Sequence, residues 1–177
     1  MKKWVTFFSQ TGSEIHNIAC TINRVPDVIV TNRHIEDIEK INFNLVNKFW
    51  DRFIFIENKP SQETYDVVLK DADIITLHGY LRIIPSEICN RYNIYNSHPA
   101  PLTRYPFLKG KDPQQRIFEQ KLDFGGNTIH KCTAELDSGE IMLEDEFPVK
   151  GHDLQIITGL THKRATNLWC RFLKNKV

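Results

Sequence analysis

The chain has little of the features that mark several protein classes. Its 177 residues carry 23 Lys and Arg against 22 Asp and Glu, a net charge of +1, whereas a nucleic-acid-binding domain is expected to be clearly basic. No stretch approaches the ~20 apolar residues of a membrane span, and the apolar stretch after the first lysines is too short for a signal peptide. We therefore expect a cytoplasmic protein with no nucleic-acid or membrane partner.

Cysteine is also scarce and scattered. The four cysteines, Cys20, Cys89, Cys132 and Cys170, form no CxxC pair, which argues against a zinc site or a disulfide framework and fits a reducing cytosol. We expect no metal. No Pro/Gly/Ser linker, internal repeat or low-complexity stretch interrupts the sequence, so it predicts a single domain over residues 1–177. The sequence does not indicate an oligomeric state.

Short apolar, β-rich runs alternate with helix-like segments. Strands are predicted over residues 4–8, 27–31, 52–56, 73–77 and 93–96, and helices over 14–23, 61–70, 85–92, 114–120 and 153–173. A later strand pair, 127–133 and 141–149, is joined through the turn at residues 137–139. The alternation predicts a Rossmann-like, doubly wound α/β fold with a mostly parallel sheet and an antiparallel edge. Ligands in such sheets bind beyond the carboxyl ends of the strands.

Two loops follow strands of this predicted sheet. The first contains Thr11, Gly12, Ser13 and Glu14, where backbone N–H groups at a helix start favour an anion. An ordinary tight turn explains the single glycine equally well, and Glu14 would repel a phosphate. The second loop, residues 78–85, is unusually apolar, which predicts either a pocket wall or packing beneath the next helix.

Three polar residues are candidates for catalysis. Asn96 and His98 leave the fifth predicted strand two residues apart, so alternation places both on one side. A lone His at a strand end is more often structural, but an amide donor beside an imidazole suits a reaction that builds an oxyanion and moves a proton. Asp137 precedes Ser138 and Gly139 in a hairpin, where Asp is usually turn chemistry.

The ordered segments GYLRIIP, NSHPAPL, YPFL, GNTIH and ELDSGEIM resemble the folate-dependent formyltransferases, most of all the glycinamide ribonucleotide formyltransferase branch. The resemblance runs from the first strand to the last helix and thins over residues 31–60. It implies that Asn96, His98 and Asp137 form the catalytic trio. It also implies a role in one-carbon metabolism related to purine biosynthesis, with transfer of a formyl group to the amine of a small metabolite.

The resemblance further implies the binding residues. The co-substrate would be 10-formyltetrahydrofolate, held by Leu81, Arg82, Ile83, Ile84, Thr133, Ala134 and Glu135, and the acceptor would contact Thr11, Gly12, Ser13, Glu14 and Gln62. Glu14 and Gln62 stand where that branch has an Asn and an Arg for a substrate phosphate, so phosphate binding is expected to be weak. The segment KGKDPQQR is similar instead to methionyl-tRNA and sugar formyltransferases.

The acceptor therefore stays open between glycinamide ribonucleotide, an amino-sugar nucleotide and another amine-bearing nucleotide. Two other functions also remain open at this point. One is hydrolysis of formyltetrahydrofolate, with water as the acceptor, and the other is a folate- or nucleotide-binding module without turnover.

Overall fold

A single mixed sheet organises the protein. In the computed structural model, which describes residues 1–174 and 176–177, its strands are β1 (Trp4–Phe8), β2 (Val28–Thr31), β3 (Phe53–Phe55), β4 (Ile74–Leu77), β5 (Ile94–His98), β6 (Phe124–Lys131) and β7 (Ile141–Pro148). Their order is β3-β2-β1-β4-β5-β6-β7. The first five strands pair in parallel, whereas β5–β6 and β6–β7 are antiparallel. The predicted fold class is confirmed.

Helices fill the connections between strands. They are α1 (Ser13–Ile22), α2 (Phe43–Phe49), α3 (Gln62–Val68), α4 (Ser86–Arg91), α5 (Pro113–Glu119) and α6 (Leu154–Leu173), with short 3-10 segments at Ile35–Lys40, Trp50–Arg52 and Pro106–Leu108. Side-chain oxygens of Asn42, Ser61 and Asp153 accept backbone N–H bonds at the starts of α2, α3 and α6. These caps fix where the helices begin, because the first N–H groups of a helix have no partner within it. No helix among the described residues is long and apolar enough to span a membrane.

The core lies on both faces of the sheet. All five residues of β1 are buried, as expected for a central strand covered on each side. On one face, Phe7 and Ile75 pack with Tyr65 of α3 and Ile88 of α4. On the other face, Trp4 packs with Ile18 and with the last turns of α6. The sheet is thereby held rigidly, with the carboxyl ends of β1, β4 and β5 side by side.

Some element boundaries differ from the prediction. β5 continues to His98 because Ser97 and His98 pair with β6, and β6 begins at Phe124 rather than at residue 127. Its Gly125 and Gly126 look unfavourable for a strand, but a Cβ on Gly126 would lie only 2.3 Å from the Asp145 carbonyl oxygen of β7. This close strand approach requires glycine. α2 and the 3-10 segment at Ile35–Lys40 were not predicted.

Candidate active site

Asn96 and His98 both line one cleft at the end of β5, as strand alternation predicts. The cleft has a volume of about 750 Å³. Asn96 is half-buried, and its side-chain amide makes no hydrogen bond to the residues that the structure describes. An amide in this state is available to a ligand.

His98 is buried and bonded through both ring nitrogens. Nδ1 lies 3.1 Å from Asp137 Oδ2, and Nε2 lies 2.9 Å from the Leu108 carbonyl oxygen. An ionised carboxylate and a carbonyl oxygen can only accept. The two contacts together fix the position and orientation of the His98 ring.

Asp137 is buried in the turn between β6 and β7 and is held from three directions. Besides His98, the Gly110 N–H donates to its Oδ2 at 3.0 Å, and His130 Nε2 lies 3.4 Å from its Oδ1. Burial alone would raise the pKa of this carboxyl, but hydrogen bonds from His130, His98 and Gly110 outweigh it and hold the pKa far below its usual value. Asp137 is therefore an anion at neutral pH.

The turn that carries Asp137 is geometrically constrained. Asp137 has a φ of +51°, in the left-handed region that Asp and Asn adopt more readily than most residues. Two residues later, a Cβ on Gly139 would lie 1.7 Å from the Lys131 carbonyl oxygen. The Asp-Ser-Gly sequence thus serves the turn and directs the carboxylate inward at the same time.

The opposite wall of the cleft comes from the start of α1. Thr11, Gly12, Ser13 and Glu14 line it, and their contact with the acceptor stays a prediction. Gln62, also predicted there, is exposed in the first turn of α3 and does not line this cleft. His78 was not singled out from the sequence. Its Nδ1 lies 2.7 Å from Glu14 Oε2, and its Nε2 lies 3.0 Å from Thr76 Oγ1.

Known proteins resemble this chain in both sequence and fold. Residues 3–166 match the family model described as formyl transferase, which covers nearly the whole chain. The chain belongs to the formyl transferase family.

The chain covers very different shares of the lengths of its individual relatives. It is 25% identical to the phosphoribosylglycinamide formyltransferase of Bacillus subtilis, with 92% of this chain and 88% of that protein covered. It is 34% identical over 55% of its length to the formyltetrahydrofolate deformylase of Synechocystis sp., but covers 34% of that protein. The match to the human trifunctional purine biosynthetic protein adenosine-3, at 32% identity over half of this chain, spans only 9% of that protein.

Solved structures show the same fold. A phosphoribosylglycinamide formyltransferase from Anaplasma phagocytophilum superposes with a TM-score of 0.84 at 21% identity, covering 98% of this chain and 86% of that one. One from Streptococcus pneumoniae gives a TM-score of 0.80 at 19% identity, with 98% of each chain covered. These likenesses establish the formyltransferase fold.

The residues predicted to hold the folate carrier are placed less uniformly than the catalytic trio. Leu81 lines the cleft and is 60% exposed, and Ile83 is 83% exposed. The Arg82 side chain bonds to Asn58, while Ile84 is buried in the core. Thr133, Ala134 and Glu135 are exposed in the stretch before Asp137 and do not line the cleft.

The apolar loop presents two exposed side chains, Leu81 and Ile83. Exposed Leu and Ile side chains next to a cleft offer the kind of surface on which ligand rings pack. No group of three or more His, Cys, Asp or Glu side chains that could hold a metal occurs in the part of the chain that the structure describes.

Sequence reasoning gave no individual role to several residues around the candidate site, although most of them lie in the loop 78–85 or in the segments KGKDPQQR and GNTIH. They are His78, the Leu108 carbonyl, the Gly110 amide, Arg116, Asn127 and His130. Backbone groups give no sequence signal at all. His130 did have one, because it ends the GNTIH segment on which the family resemblance rests, and in the structure it pairs with Asn96 of β5.

Proposed function

We propose that this protein transfers a formyl group from 10-formyltetrahydrofolate to the amine of a small molecule. The observation that carries the proposal is the buried His98–Asp137 pair, which stands beside the unpartnered Asn96 amide at one cleft. Membership of the formyl transferase family supports the same chemistry. The four free cysteines fit a cytoplasmic location, where thiols stay reduced.

Asn96 would stabilise charge that develops on the formyl oxygen. Its amide donates no hydrogen bond to the described residues and faces the cleft, so it is free to donate to an oxyanion. Removal of one such donor typically lowers the rate by ~10²–10³.

His98 and Asp137 would transfer protons and stabilise charge during the reaction. When an amine attacks the formyl carbon, the amine nitrogen must lose a proton and the leaving nitrogen must gain one. His98 would stabilise negative charge on the formyl oxygen and move protons, and Asp137 would orient its ring. Since Asp137 stays ionised, it also favours removal of the proton from the attacking amine.

Hydrolysis of the formylated folate is the second candidate function. The similarity to the Synechocystis deformylase favours it, because the same trio can act on an attacking water. The two functions differ in one observable: a hydrolase releases formate when no amine is present, whereas a transferase requires the amine.

The test is incubation with isotopically labelled 10-formyltetrahydrofolate and a metabolite extract, followed by mass spectrometry. We expect a labelled formylated amine, little formate without the extract, and a rate loss of ~10³ or more in His98→Ala. Circular dichroism would check that the variant stays folded. Full turnover by a folded His98→Ala protein would rule out this mechanism, and equal formate release with and without amine would establish the hydrolase.

A further inference from the structure

The wall of the cleft at α1 carries an anchored carboxylate. Glu14 is bonded through Oε2 to His78, whose side chain is 1% exposed. The His78 ring in turn packs against Trp169, with 4.7 Å between ring centroids, and bonds to Thr76, which accepts from Trp4 Nε1. The Glu14 carboxylate is therefore fixed by the core rather than free to swing into solvent.

This carboxylate adds negative charge near a helix start that would otherwise favour an anion. The first N–H groups of a helix attract negative charge, and α1 starts after Gly12 with no side-chain cap. Glu14 lies in the first turn and supplies negative charge from the protein itself. A phosphate brought to this wall would meet a like charge held in position.

A second hydrogen-bond acceptor lines the same cleft. Asn127 is almost completely buried, and its Nδ2 donates to the Thr161 carbonyl at 3.1 Å. Its Oδ1 has no partner among the described residues. Buried polar atoms are rarely left unpaired, so this oxygen calls for a donor from a ligand or an ordered water.

Positive charge on the cleft also disfavours a cationic ligand. Lys163 and His162 of α6 line it as well, so a cationic ligand would face Lys163 and an anionic ligand would face Glu14. A neutral hydroxyl avoids both repulsions, because it can donate to the Glu14 carboxylate and accept from the Lys163 ammonium.

We infer that the acceptor presents an uncharged, hydroxyl-bearing group to Glu14 and Asn127, and no phosphate. The inference rests on the proposed function for its reaction, but it concerns binding and is tested separately. Sugar hydroxyls match this requirement, because each donates to an acceptor oxygen without adding charge.

Binding of two probes that differ only in a phosphate tests this inference. Isothermal titration calorimetry would compare glycinamide riboside with its 5′-phosphate on the wild-type protein, Glu14→Gln and the control Glu63→Gln. Glu63 also lies in the first turn of a helix, α3, but does not line the cleft. We expect wild type to bind the riboside at least about tenfold more tightly than the 5′-phosphate. The ratio of the two dissociation constants should fall by about tenfold in Glu14→Gln and stay unchanged in Glu63→Gln.

Two results would overturn the inference: tighter binding of the phosphorylated probe that Lys163→Gln abolishes, or no detectable binding of either probe. Formyl transfer is assayed separately with the same pair. The expected binding preference without formylation of any amine contradicts the proposed function but not the acceptor class. Formylation with tighter binding of the phosphorylated probe supports the proposed function and contradicts the acceptor class.

Discussion

Asp137 is the residue on which the contacts of the candidate site converge. Its carboxylate lies 3.1 Å from His98 Nδ1 and 3.4 Å from His130 Nε2, and it receives the Gly110 N–H as well. The pKa of Asp137 is thereby lowered, which means that its ionised form is more stable in the folded protein than in the unfolded chain. Ionisation of Asp137 therefore stabilises the fold.

This linkage predicts the effect of Asp137→Asn. Asn tolerates the left-handed backbone at this position, so the substitution removes the charge with little strain. We expect the free energy of unfolding at pH 7 to fall by about 1–3 kcal/mol. Because the folded pKa is lowered, the contribution is complete above the unfolded pKa near ~3.9 and is lost as the pH falls below it.

Urea unfolding of both proteins at pH 7 and pH 3.5 would measure this. The difference should be smaller at pH 3.5, and the exposed Asp51→Asn should show no comparable difference. An equal difference at both pH values would show that the charge of Asp137 is not what stabilises the fold.

Part of the site could be predicted at the scale of single residues. The alternation of Asn96 and His98 and the position of Asp137 in a tight turn are visible in the sequence, and all three lie close together in the structure. The Glu14–His78 contact could not be predicted, because it joins residues 64 apart in the chain. The Leu108 carbonyl and Gly110 amide carry no side-chain identity to detect.

At the scale of elements, the loop between β5 and α5 holds two of the predicted catalytic side chains, His98 and Asp137. It supplies the Leu108 carbonyl to His98 and the Gly110 N–H to Asp137. Arg116 of α5 organises this loop, donating to the Lys109 carbonyl at 3.0 Å and to the Phe107 carbonyl. From these contacts we expect Arg116 to have a positioning role.

We expect Arg116→Ala to lower kcat by about 10- to 100-fold, because small displacements of reacting groups are costly, while the acceptor KM changes little. Arg116→Lys should recover part of the loss, since one ammonium replaces only part of the planar guanidinium fork. Steady-state kinetics on the amine found by labelling would test both. Arg91→Ala is the control, because Arg91 pairs with Asp66 at the surface. An unchanged kcat in Arg116→Ala would exclude the positioning role.

Elements were predicted best where the hydrophobic pattern is simple. β1 was predicted with its observed bounds, because four of its five residues are apolar. α2 was missed because its seven residues bury only Leu45, so the sequence shows little apolar periodicity there. The start of β6 was placed too late because the need for Gly125 and Gly126 arises only from the neighbouring strand.

At the scale of the whole molecule, the fold depends on residues beyond the family match. That match ends at residue 166, yet Leu168, Trp169, Phe172 and Leu173 are all buried against Trp4, Ile74 and Ile129. The end of α6 therefore completes one face of the sheet.

Truncation tests this dependence. Burial of each large apolar side chain is worth about 1.5–3 kcal/mol, so loss of the last four would remove most of the ~5–15 kcal/mol that stabilises a typical domain. We expect a chain ending at Thr166 to be unfolded by circular dichroism. A chain ending at Lys174 should unfold cooperatively, with a Tm within ~5 °C of the full chain. A folded, cooperative 166-residue chain would contradict the prediction.

The order of strands in the sheet has one more consequence. The three predicted catalytic residues all come from β5 and the segments after it, whereas Glu14 and His78 come from the connections after β1 and β4. Glu14 and His78 share no hydrogen bond with the predicted catalytic residues in the part of the chain that the structure describes, so substitutions at that wall need not disturb those residues. Such a division lets descendants of one ancestor keep their chemistry while their substrates diverge.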